Sequence, residues 1–458
     1  MSKNILYTMK KFFDERSYKK IHLVGIGGVS QSALAEYFLG KGITVSGSDT
    51  DSNEYVKRLK TLGVKIFLGH SPKNLDGLDL SSALVYTSAV KCDNPEIIFA
   101  KNKGIPVFSR SEVLGAIISK FPLSVGVSGS HGKTTSTSML ADILARANLS
   151  PTVFLGGNSK NFNNFSSGKG IIAVTEACEF ERSFLDIPCN VAVVLNVDND
   201  HLDTYGSIEN EIMAFKEFCF NKTAFVNADD INASKIIKAG DFTFGLSSKA
   251  RFRAKYLRKN PRGYSFTVFD GEMRLGRINL KVNGKYNIYN ALSAISVAVY
   301  LGVDFSRIKI ALENFCSVER RNEYLGDRKG VRFYADYAHH PAEIKAVCES
   351  YDDNTLFVFQ PHTYSRTKLL LGDFVSALTP LKNLIIYKTY PAREKFIKEG
   401  DALVLFSKIK KERKSSVYYA KTPKILLKII DKKFLGVEKV VFLGAGDIYA
   451  LAKKFLVL

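Results

Sequence analysis

The amino-acid sequence predicts an α/β fold of three domains built on parallel β-sheets. The first observation is that short apolar runs alternate with helical patterns along most of the 458 residues, which is typical of β-α-β units. The second is that two of these runs end in glycine-rich turns, G-I-G-G-V-S at 25–30 and G-S-H-G-K-T-T at 129–135. The third is a polar, β-rich stretch at 242–282, which predicts a small antiparallel sheet inserted in the middle domain.

The first domain is predicted at residues 1–121. Its turn at 25–30 follows an apolar strand and precedes a helix, as in a dinucleotide fingerprint, but Ser30 replaces the third glycine. The turn therefore predicts a pyrophosphate at a helix N-terminus rather than one particular dinucleotide. Asp49 ends the second strand, where a carboxylate can accept hydrogen bonds from a ribose or a base. The candidates here are Gly25, Gly27, Gly28 and Asp49.

The second domain is predicted at residues 122–317, and its turn at 129–135 predicts ATP binding. Glycines allow backbone N–H groups to approach a phosphate, and the helix that follows adds partial positive charge. Lys133 can reach the outer phosphates, and Thr134 can hold Mg²⁺. Val127 stands where the general Walker pattern has glycine, so the loop is a variant. The phosphate-binding candidates are Gly129, Ser130, His131, Gly132, Lys133, Thr134 and Thr135.

Two polar residues follow later strands of this domain. Glu176 ends the apolar run I-I-A-V-T-E, and His201 follows V-A-V-V-L-N-V. Carboxyl ends of parallel strands meet at one edge of a sheet. We therefore expect Thr134, Glu176 and His201 to hold Mg²⁺, although oxygen ligands are more usual for this ion.

Candidates for the base and the transferred phosphate lie near the end of the middle domain. Asn287 and Asn290 are three residues apart on one helix face, so their amides can read an adenine edge. The alternative is a helix cap followed by a solvated asparagine. Arg321, at a domain junction, can act as an arginine finger on a γ-phosphate, or it can belong to a solvated Arg-Arg pair.

The third domain is predicted at residues 318–458. Its motifs D-Y-A-H-H-P at 336–341 and F-Q-P-H-T-Y-S-R-T at 359–367 each follow an apolar strand. Polar residues in this position lie where open α/β sheets bind ligands.

Composition narrows the class of protein. The net charge of +20 is spread along the chain, which favours a solvated lysine-rich surface and steering of polyanionic small molecules over nucleic-acid binding. No run of 18 apolar residues occurs, so we expect no membrane span. The N-terminus lacks a signal-peptide pattern, and the six cysteines form no CxxC pair. We expect a cytoplasmic protein with reduced thiols.

The order of these motifs along the chain resembles that of the Mur ligase family, and the resemblance covers nearly the whole chain. Within the family, G-I-G-G-V-S-Q-S-A-L-A, Q-P-H-T-Y-S-R-T and D-Y-A-H-H-P most resemble members that join L-alanine to UDP-N-acetylmuramate. The resemblance implies ATP and Mg²⁺ as cofactors and an acyl-phosphate intermediate. It also implies a Rossmann-like N-terminal domain for the UDP-sugar, a central ATPase domain, and a Rossmann-like C-terminal domain for the amino acid.

The resemblance also implies roles for individual residues. It places Gly25, Gly27 and Gly28 at the UDP diphosphate, Asp49 and His70 near the uridine, Asn287 and Asn290 at adenine, Arg321 at the γ-phosphate, Asp336 at the ribose, Thr134, Glu176 and His201 on Mg²⁺, and Tyr337, His340 and Arg366 near the alanine and the acyl centre. The catalytic set that follows is Lys133, His201, Arg321, His340 and Arg366.

Three positions depart from the family pattern. Tyr286 stands where a histidine usually precedes the first adenine-motif asparagine, and Cys178 stands where an aspartate is frequent. Lys216 is one residue out of step with the carbamylated lysine of several sister ligases, so we do not assign it that role.

Four alternatives stay open at this point. A sister ligase attaches a recycled tripeptide to the same UDP-sugar, but its first turn typically reads G-I-C-G. Folyl- and cyanophycin-type ligases usually lack the first glycine-rich domain. The first segment alone also suggests an NAD-dependent oxidoreductase, and a nucleotide-binding module or nucleic-acid ATPase is the last possibility.

Overall fold

The computed structural model describes residues 13–198, 202–260, 262–392, 394–413 and 416–457. The chain divides into two compact units. The first unit comprises the described residues up to Arg253 together with Phe269–Met273 and Leu292–Ala311. The second unit comprises Ala254–Val268, Arg274–Ala291 and the described residues from Leu312 onward. The boundaries of the three predicted domains stay a prediction.

A parallel sheet of the first unit opens the described chain. Its strands are β1 (Lys20–Val24), β2 (Thr44–Asp49), β3 (Lys65–Leu68), β4 (Ser82–Tyr86) and β5 (Val107–Ser109). Its helices are α1 (Val29–Gly40), α2 (Glu54–Thr61), α3 (Pro95–Asn102) and α4 (Arg110–Ile118). The strand order is β3-β2-β1-β4-β5, and every pair is parallel. The order reverses between β1 and β4, and ligands bind open α/β sheets at such a switch point.

Side-chain caps set where three of these helices begin. Asn53 Oδ1 accepts the N–H of Val56 at 3.0 Å in α2, and Asn94 caps α3 ahead of a proline. Ser109 and Glu112 form a reciprocal capping box in α4, which satisfies two backbone donors. The carboxyl ends of β2, β4 and β5 therefore lead directly into polar, well-defined turns.

The second sheet of the first unit carries the phosphate loop. Its strands are β6 (Leu123–Ser128), β7 (Thr152–Ser159), β8 (Asn163–Ser166), β9 (Ile172–Glu176), β10 (Val191–Val194), β11 (Thr223–Asn227) and β12 (Phe242–Gly245). Its helices are α5 (Lys133–Arg146), α6 (Leu202–Tyr205) and α7 (Ile208–Phe218). These seven strands follow one another in the order β12-β11-β10-β6-β9-β7-β8 within a ten-stranded sheet, and only β7 and β8 among them pair antiparallel. The central strand β6, flanked by β10 and β9, delivers the loop to the carboxyl edge.

One part of the predicted antiparallel insertion is wrong. Strand β12 pairs in parallel with β11 and so extends the central sheet. The connection from Asn227 to Phe242 is long enough for the crossover that a parallel pair needs. The apolar alternation F-T-F-G alone does not distinguish a parallel partner from a hairpin partner.

The insertion proper begins after β12. It contains β13 (Phe252–Asn260), β14 (Gly263–Asp270) and β15 (Met273–Leu280), followed by α8 (Tyr286–Tyr300) and α9 (Phe305–Glu313). The three strands follow β12 in this order within one ten-stranded sheet, and the start of β13 pairs in parallel with β12. Only Gly271 and Glu272 connect β14 to β15, and two residues suffice for a hairpin but not for a parallel crossover. The β14–β15 hairpin agrees with the predicted antiparallel strands, but the parallel pairing of β13 with β12 does not.

A third sheet lies in the second unit. Its strands are β16 (Glu323–Arg328), β17 (Val331–Asp336), β18 (Thr355–Phe359), β19 (Asn383–Tyr387), β20 (Val417–Ala420) and β21 (Lys439–Leu443). Its helices are α10 (Pro341–Cys348), α11 (Tyr364–Leu369), α12 (Leu371–Leu378), α13 (Ala402–Glu412), α14 (Pro423–Lys433) and α15 (Ile448–Val457). The order is β16-β17-β21-β18-β19-β20, parallel except for the β16–β17 hairpin. Within the described parts of the chain, no helix has the length and apolar character needed to cross a membrane.

Candidate nucleotide-binding and active site

The glycine turn after β1 is held by side chains from β2 and α2. Gly25 has a φ of +80°, which favours glycine. The N–H of Gly27 donates to Asp49 Oδ2 at 2.8 Å, and Asn53 Nδ2 donates to the carbonyl of Gly27 at 2.8 Å. The second oxygen of Asp49 accepts the N–H of Asp51 at 3.2 Å. Asp49 therefore braces the predicted diphosphate turn, and its contact with a ribose or a base stays a prediction.

His70 lies two residues beyond β3, at the carboxyl edge of the same sheet. Its Nδ1 is 2.9 Å from Ser48 Oγ, next to Asp49. A fully buried carboxylate, Glu96, lies behind both side chains. Sequence reasoning missed Glu96, because its neighbours at this edge are far away in the chain.

The phosphate loop has the backbone that its glycines predict. Gly129 has a φ of +136° and Gly132 a φ of +87°, a region that L-residues with side chains rarely adopt. The N–H of His131 donates to Asn196 Oδ1 at 2.8 Å, and Asn196 Nδ2 donates back to the His131 carbonyl at 3.0 Å. Asn196, just beyond β10, thus holds the loop open in a shape that fits a phosphate group.

Lys133 is folded back over this loop. Its ammonium donates to the carbonyls of Gly129 and Ser130 at 2.5 Å and 3.2 Å, and it lies 2.9 Å from Glu179 Oε1. Burial lowers the pKa of Lys133, but the Glu179 carboxylate more than offsets this and the net pKa is raised. Lys133 is therefore a permanent cation at the loop. Glu179, only 1 % exposed, was not predicted.

Two predicted magnesium ligands are brought together. Thr134 Oγ1 donates to Glu176 Oε2 at 3.1 Å, and the N–H of Gly156 donates to the other carboxylate oxygen. A hydroxyl and a carboxylate are the oxygen donors that Mg²⁺ prefers, so this pair fits the ion. The third predicted ligand, His201, lies outside the described residues. In the described ranges, no group of three or more His, Cys, Asp or Glu side chains has the arrangement of a metal site.

Arg110 is a further cation at this edge that sequence reasoning missed. It is the first residue of α4, and it has no hydrogen-bond or ion-pair partner among the described residues. Burial lowers the pKa of its guanidinium, against the opposing influence of Cys178 and Glu176. A partly buried guanidinium without a carboxylate partner suits an anionic ligand.

The two predicted adenine contacts lie in the second unit and are buried. Asn287 Nδ2 donates to the Asn283 carbonyl at 2.5 Å, and Asn290 Nδ2 donates to Asn287 Oδ1 at 2.9 Å. Asn290 is 5 % exposed, so the alternative of a solvated asparagine is wrong. The hydroxyl of Tyr286 accepts a hydrogen bond from Asn322 Nδ2 at 3.3 Å. Burial raises the pKa of Tyr286, so its hydroxyl stays neutral.

Asp336 ends β17 with both carboxylate oxygens engaged. One oxygen accepts the N–H of Asn322 and the other that of Ala338, both at 2.7 Å. Burial raises the pKa of Asp336 to about 6, with Arg321 opposing the shift. The guanidinium of Arg321 lies 5.0 Å from the centre of the Tyr337 ring. The assignments of Asp336 to a ribose and of Arg321 to a γ-phosphate stay predictions.

The predicted amino-acid site lies around the ends of β17 and β18. Arg366 Nη1 donates to the His362 carbonyl at 3.1 Å, and the Tyr337 and His339 rings are 5.2 Å apart. Burial lowers the pKa of His362 to about 4, with His339 and Arg366 adding to the shift. Backbone N–H groups of His339 and His340 donate to Glu343 at the start of α10. The structure thus gathers aromatic and cationic groups at this edge.

A phosphate loop at one sheet edge and a diphosphate turn at another define a nucleotide-binding α/β enzyme. Two family models match the chain, one described as Mur ligase family, catalytic domain, over residues 20–122, the other as Mur ligase middle domain, over residues 127–298. The chain belongs to the Mur ligase family.

The relatives are similar over nearly their whole length. The UDP-N-acetylmuramate–L-alanine ligase of Aquifex aeolicus is 43% identical, over 96% of this chain and 97% of the relative. The ligase of the same name from Acetivibrio thermocellus is 40% identical, over 97% of each chain. The crystal structure of UDP-N-acetylmuramate-alanine ligase from Thermotoga maritima has a TM-score of 0.83 at 30% identity, covering 95% of this chain and 98% of that one. This match confirms the predicted α/β fold of three domains.

Proposed function

We propose that this protein is an ATP-dependent ligase that joins L-alanine to the lactyl carboxylate of UDP-N-acetylmuramate in peptidoglycan precursor synthesis. The observation that carries the proposal is the phosphate-loop edge, where Lys133 and Thr134 meet Glu179 and Glu176. The near-full-length similarity to L-alanine ligases supports the choice of substrates. A cytoplasmic location is part of the proposal, since its nucleotide substrates are made there.

The proposed reaction first brings together two anions, the lactyl carboxylate and ATP, and only then adds the amine of L-alanine. The lactyl carboxylate attacks the γ-phosphorus of ATP, ADP leaves, and an acyl phosphate forms. The amine nitrogen of L-alanine then attacks the acyl carbon, gives up a proton, and inorganic phosphate leaves. Carboxylate and triphosphate repel each other, so the first step requires cations at the point where charge gathers.

The chain supplies these cations from several elements. Lys133 lies at the loop, and Arg110 adds a guanidinium near Glu176. We assign Arg321 to the γ-phosphate, and Tyr337, His340 and Arg366 to the alanine. Mg²⁺ held by Thr134, Glu176 and His201 supplies further positive charge when bound. Each of these groups would orient a substrate or offset the charge of the approaching carboxylate.

The direct test is phosphate release from ATP and Mg²⁺ in the presence of UDP-N-acetylmuramate. We expect release that depends on L-alanine. The comparison arms are no amino acceptor and L-alanyl-γ-D-glutamyl-meso-diaminopimelate. Release with the tripeptide alone would assign the protein to the sister reaction that attaches a recycled tripeptide. A murein peptide ligase from Psychrobacter arcticus shares the fold at 22% identity and a TM-score of 0.70. No release with either acceptor would contradict the proposal.

Substituting Gly27 tests the diphosphate turn. An added Cβ would lie 2.9 Å from Asp49 Oδ2 and from Val56 Cγ2. Such crowding costs about 1–3 kcal/mol, so we expect Gly27→Ala to weaken UDP-N-acetylmuramate binding by about tenfold or more, measured by calorimetry. Gly40→Ala is the matched control, because a Cβ there would meet no atom within 4 Å. Equal affinities of the two variants would remove the turn from the binding site.

A further inference from the structure

A buried carboxylate sets the surroundings of His70. Ser48 Oγ donates to Glu96 Oε2 at 2.5 Å. His70 Nδ1 lies 2.9 Å from Ser48 Oγ and 3.4 Å from the same Glu96 oxygen. Burial opposes ionisation of Glu96, but the neighbouring His22 and the Ser48 hydroxyl outweigh it and lower the pKa of Glu96 to about 2. Glu96 is therefore an anion at neutral pH and acts only as an acceptor.

This arrangement fixes the tautomer of His70. The Ser48 hydroxyl gives its proton to Glu96, so both groups facing Nδ1 are acceptors. Nδ1 must then carry the proton, and a neutral imidazole keeps its lone pair on Nε2. Nε2 has no hydrogen-bond partner among the described residues, and the side chain is 18 % exposed. His70, at the carboxyl edge of the sheet, thus offers a hydrogen-bond acceptor that no described residue occupies.

Glu96 also fixes the backbone that carries His70. Its Oε1 accepts Asn74 Nδ2 at 2.5 Å and the N–H of Ser71 at 3.3 Å. Glu96 itself is held at the start of α3, where the Asn94 cap accepts its N–H at 2.9 Å. The loop after β3 therefore has little freedom, and the position of Nε2 is set before any ligand binds.

The neighbouring residues indicate which ligand meets this acceptor. Ser48 precedes Asp49, which holds the diphosphate turn through Gly27, so His70 lies at the same edge as the diphosphate. We propose that Glu96, directly and through Ser48, holds His70 in the tautomer whose Nε2 accepts the N3–H of uracil, and so makes the site selective for uridine over cytidine nucleotides. This rests on the proposed function, which supplies a uridine nucleotide as the ligand. Cytosine has a lone pair at N3, which would face the lone pair of Nε2.

Calorimetry with the full chain tests the selectivity. We expect the unaltered protein to bind uridine diphosphate at least about 100-fold more tightly than cytidine diphosphate, because a site built to accept an N–H rejects a base that lacks it. In Glu96→Gln the amide can donate toward Ser48 and His70, which favours the other tautomer. In that variant the ratio of the affinities for uridine diphosphate and cytidine diphosphate should fall at least about tenfold, with the KM for ATP unchanged. An unchanged preference in folded Glu96→Gln would overturn the inference.

The matched control is Glu112→Gln. Like Glu96, Glu112 lies at the start of a helix, and its carboxylate accepts a backbone N–H, that of Ser109 at 2.8 Å. Glu112 differs from Glu96 because it caps α4 and does not hold the loop after β3. Its substitution should leave the ratio of the two affinities as it was. A comparable loss of preference in Glu112→Gln would show that Glu96 acts only through general stability, and the inference would fail.

A spectroscopic measurement decides the matter even if Glu96→Gln does not fold. Nitrogen-15 NMR of the unaltered protein at about pH 8.5, above the usual imidazole range, reports which ring nitrogen carries the proton. His70→Gln identifies the His70 signals by their loss. We expect protonated Nδ1, and protonated Nε2 would overturn the inference. A protein that neither binds UDP-N-acetylmuramate nor releases phosphate would instead contradict the proposed function.

Discussion

Replacing Lys133 with alanine is expected to lower kcat/KM by about 10³-fold or more, the range found when a preorganised cation or donor is removed from a transferring phosphoryl group. Lys133 lies on the phosphate loop, 2.5 Å from the Gly129 carbonyl, and the field of Glu179 keeps it charged. The loop at 129–135 contains no other lysine and no arginine, so no other residue of the loop supplies a permanent cation. Steady-state phosphate release measures the effect, with Lys169→Ala, an exposed lysine of the same unit, as the control.

Lys133→Ala also leaves the Glu179 carboxylate buried without its cation. Breaking a buried ion pair by removing one partner costs about 3–5 kcal/mol, so part of any loss could reflect stability. The double variant Lys133→Ala/Glu179→Gln removes the uncompensated charge. We expect it to recover the melting temperature but not turnover. Recovery of turnover as well would show that Lys133 serves only as the counter-ion of Glu179, and would contradict its role on phosphate.

The phosphate loop was predictable because its signal is local. A strand, two glycines and a helix start stand within about a dozen residues, and the left-handed backbone of Gly129 and Gly132 follows from that spacing. Glu176 was predictable for a similar reason, since the end of an apolar strand marks the ligand edge of a parallel sheet. Its pairing with Thr134 confirms that these two side chains meet.

The roles of residues whose partners are distant in the chain could not be predicted from the sequence. Glu179 is one of three glutamates in E-A-C-E-F-E, and nothing local shows that it, rather than Glu181, would meet a lysine 46 residues earlier. Arg110 resembles any cation at a helix start until the fold places it near Glu176. Asp49 was read as a ligand acceptor, but the structure shows that its carboxylate first braces Gly27.

Strand partners were also harder to predict than strands. The run F-T-F-G at 242–245 was correctly expected to be extended, but its parallel partner β11 is chosen by sheet packing rather than by the run itself. The edge strands β16 and β20 were missed. Strand β16 carries charged residues, and β20 has only four residues. Both features are usual for edge strands, and they make the alternation of each strand weak. The central strands, buried on both faces, gave continuous apolar runs and were predictable.

Truncating Phe218 is expected to lower the free energy of unfolding of the first unit by about 3–5 kcal/mol, the usual cost of removing a buried phenyl ring. Its ring is fully buried and stacks on Phe184 at 5.0 Å between centroids. A Cβ on Gly126 would lie 3.3 Å from the ring edge, so Phe218 packs beneath β6, the strand that leads into the phosphate loop. Because the chain has no tryptophan, urea unfolding is followed by circular dichroism.

Phe220 provides the control for Phe218→Ala, two residues further along the chain. It is 68 % exposed, so Phe220→Ala should change the unfolding free energy by no more than about 0.5 kcal/mol. If Phe218 supports β6, its loss should also raise the KM for ATP. Phe220→Ala should leave that KM unchanged, because the ring of Phe220 is largely exposed. Similar unfolding curves for the two variants would mean that the aromatic cluster under β6 contributes little, and that the loop is held mainly by its own hydrogen bonds to Asn196.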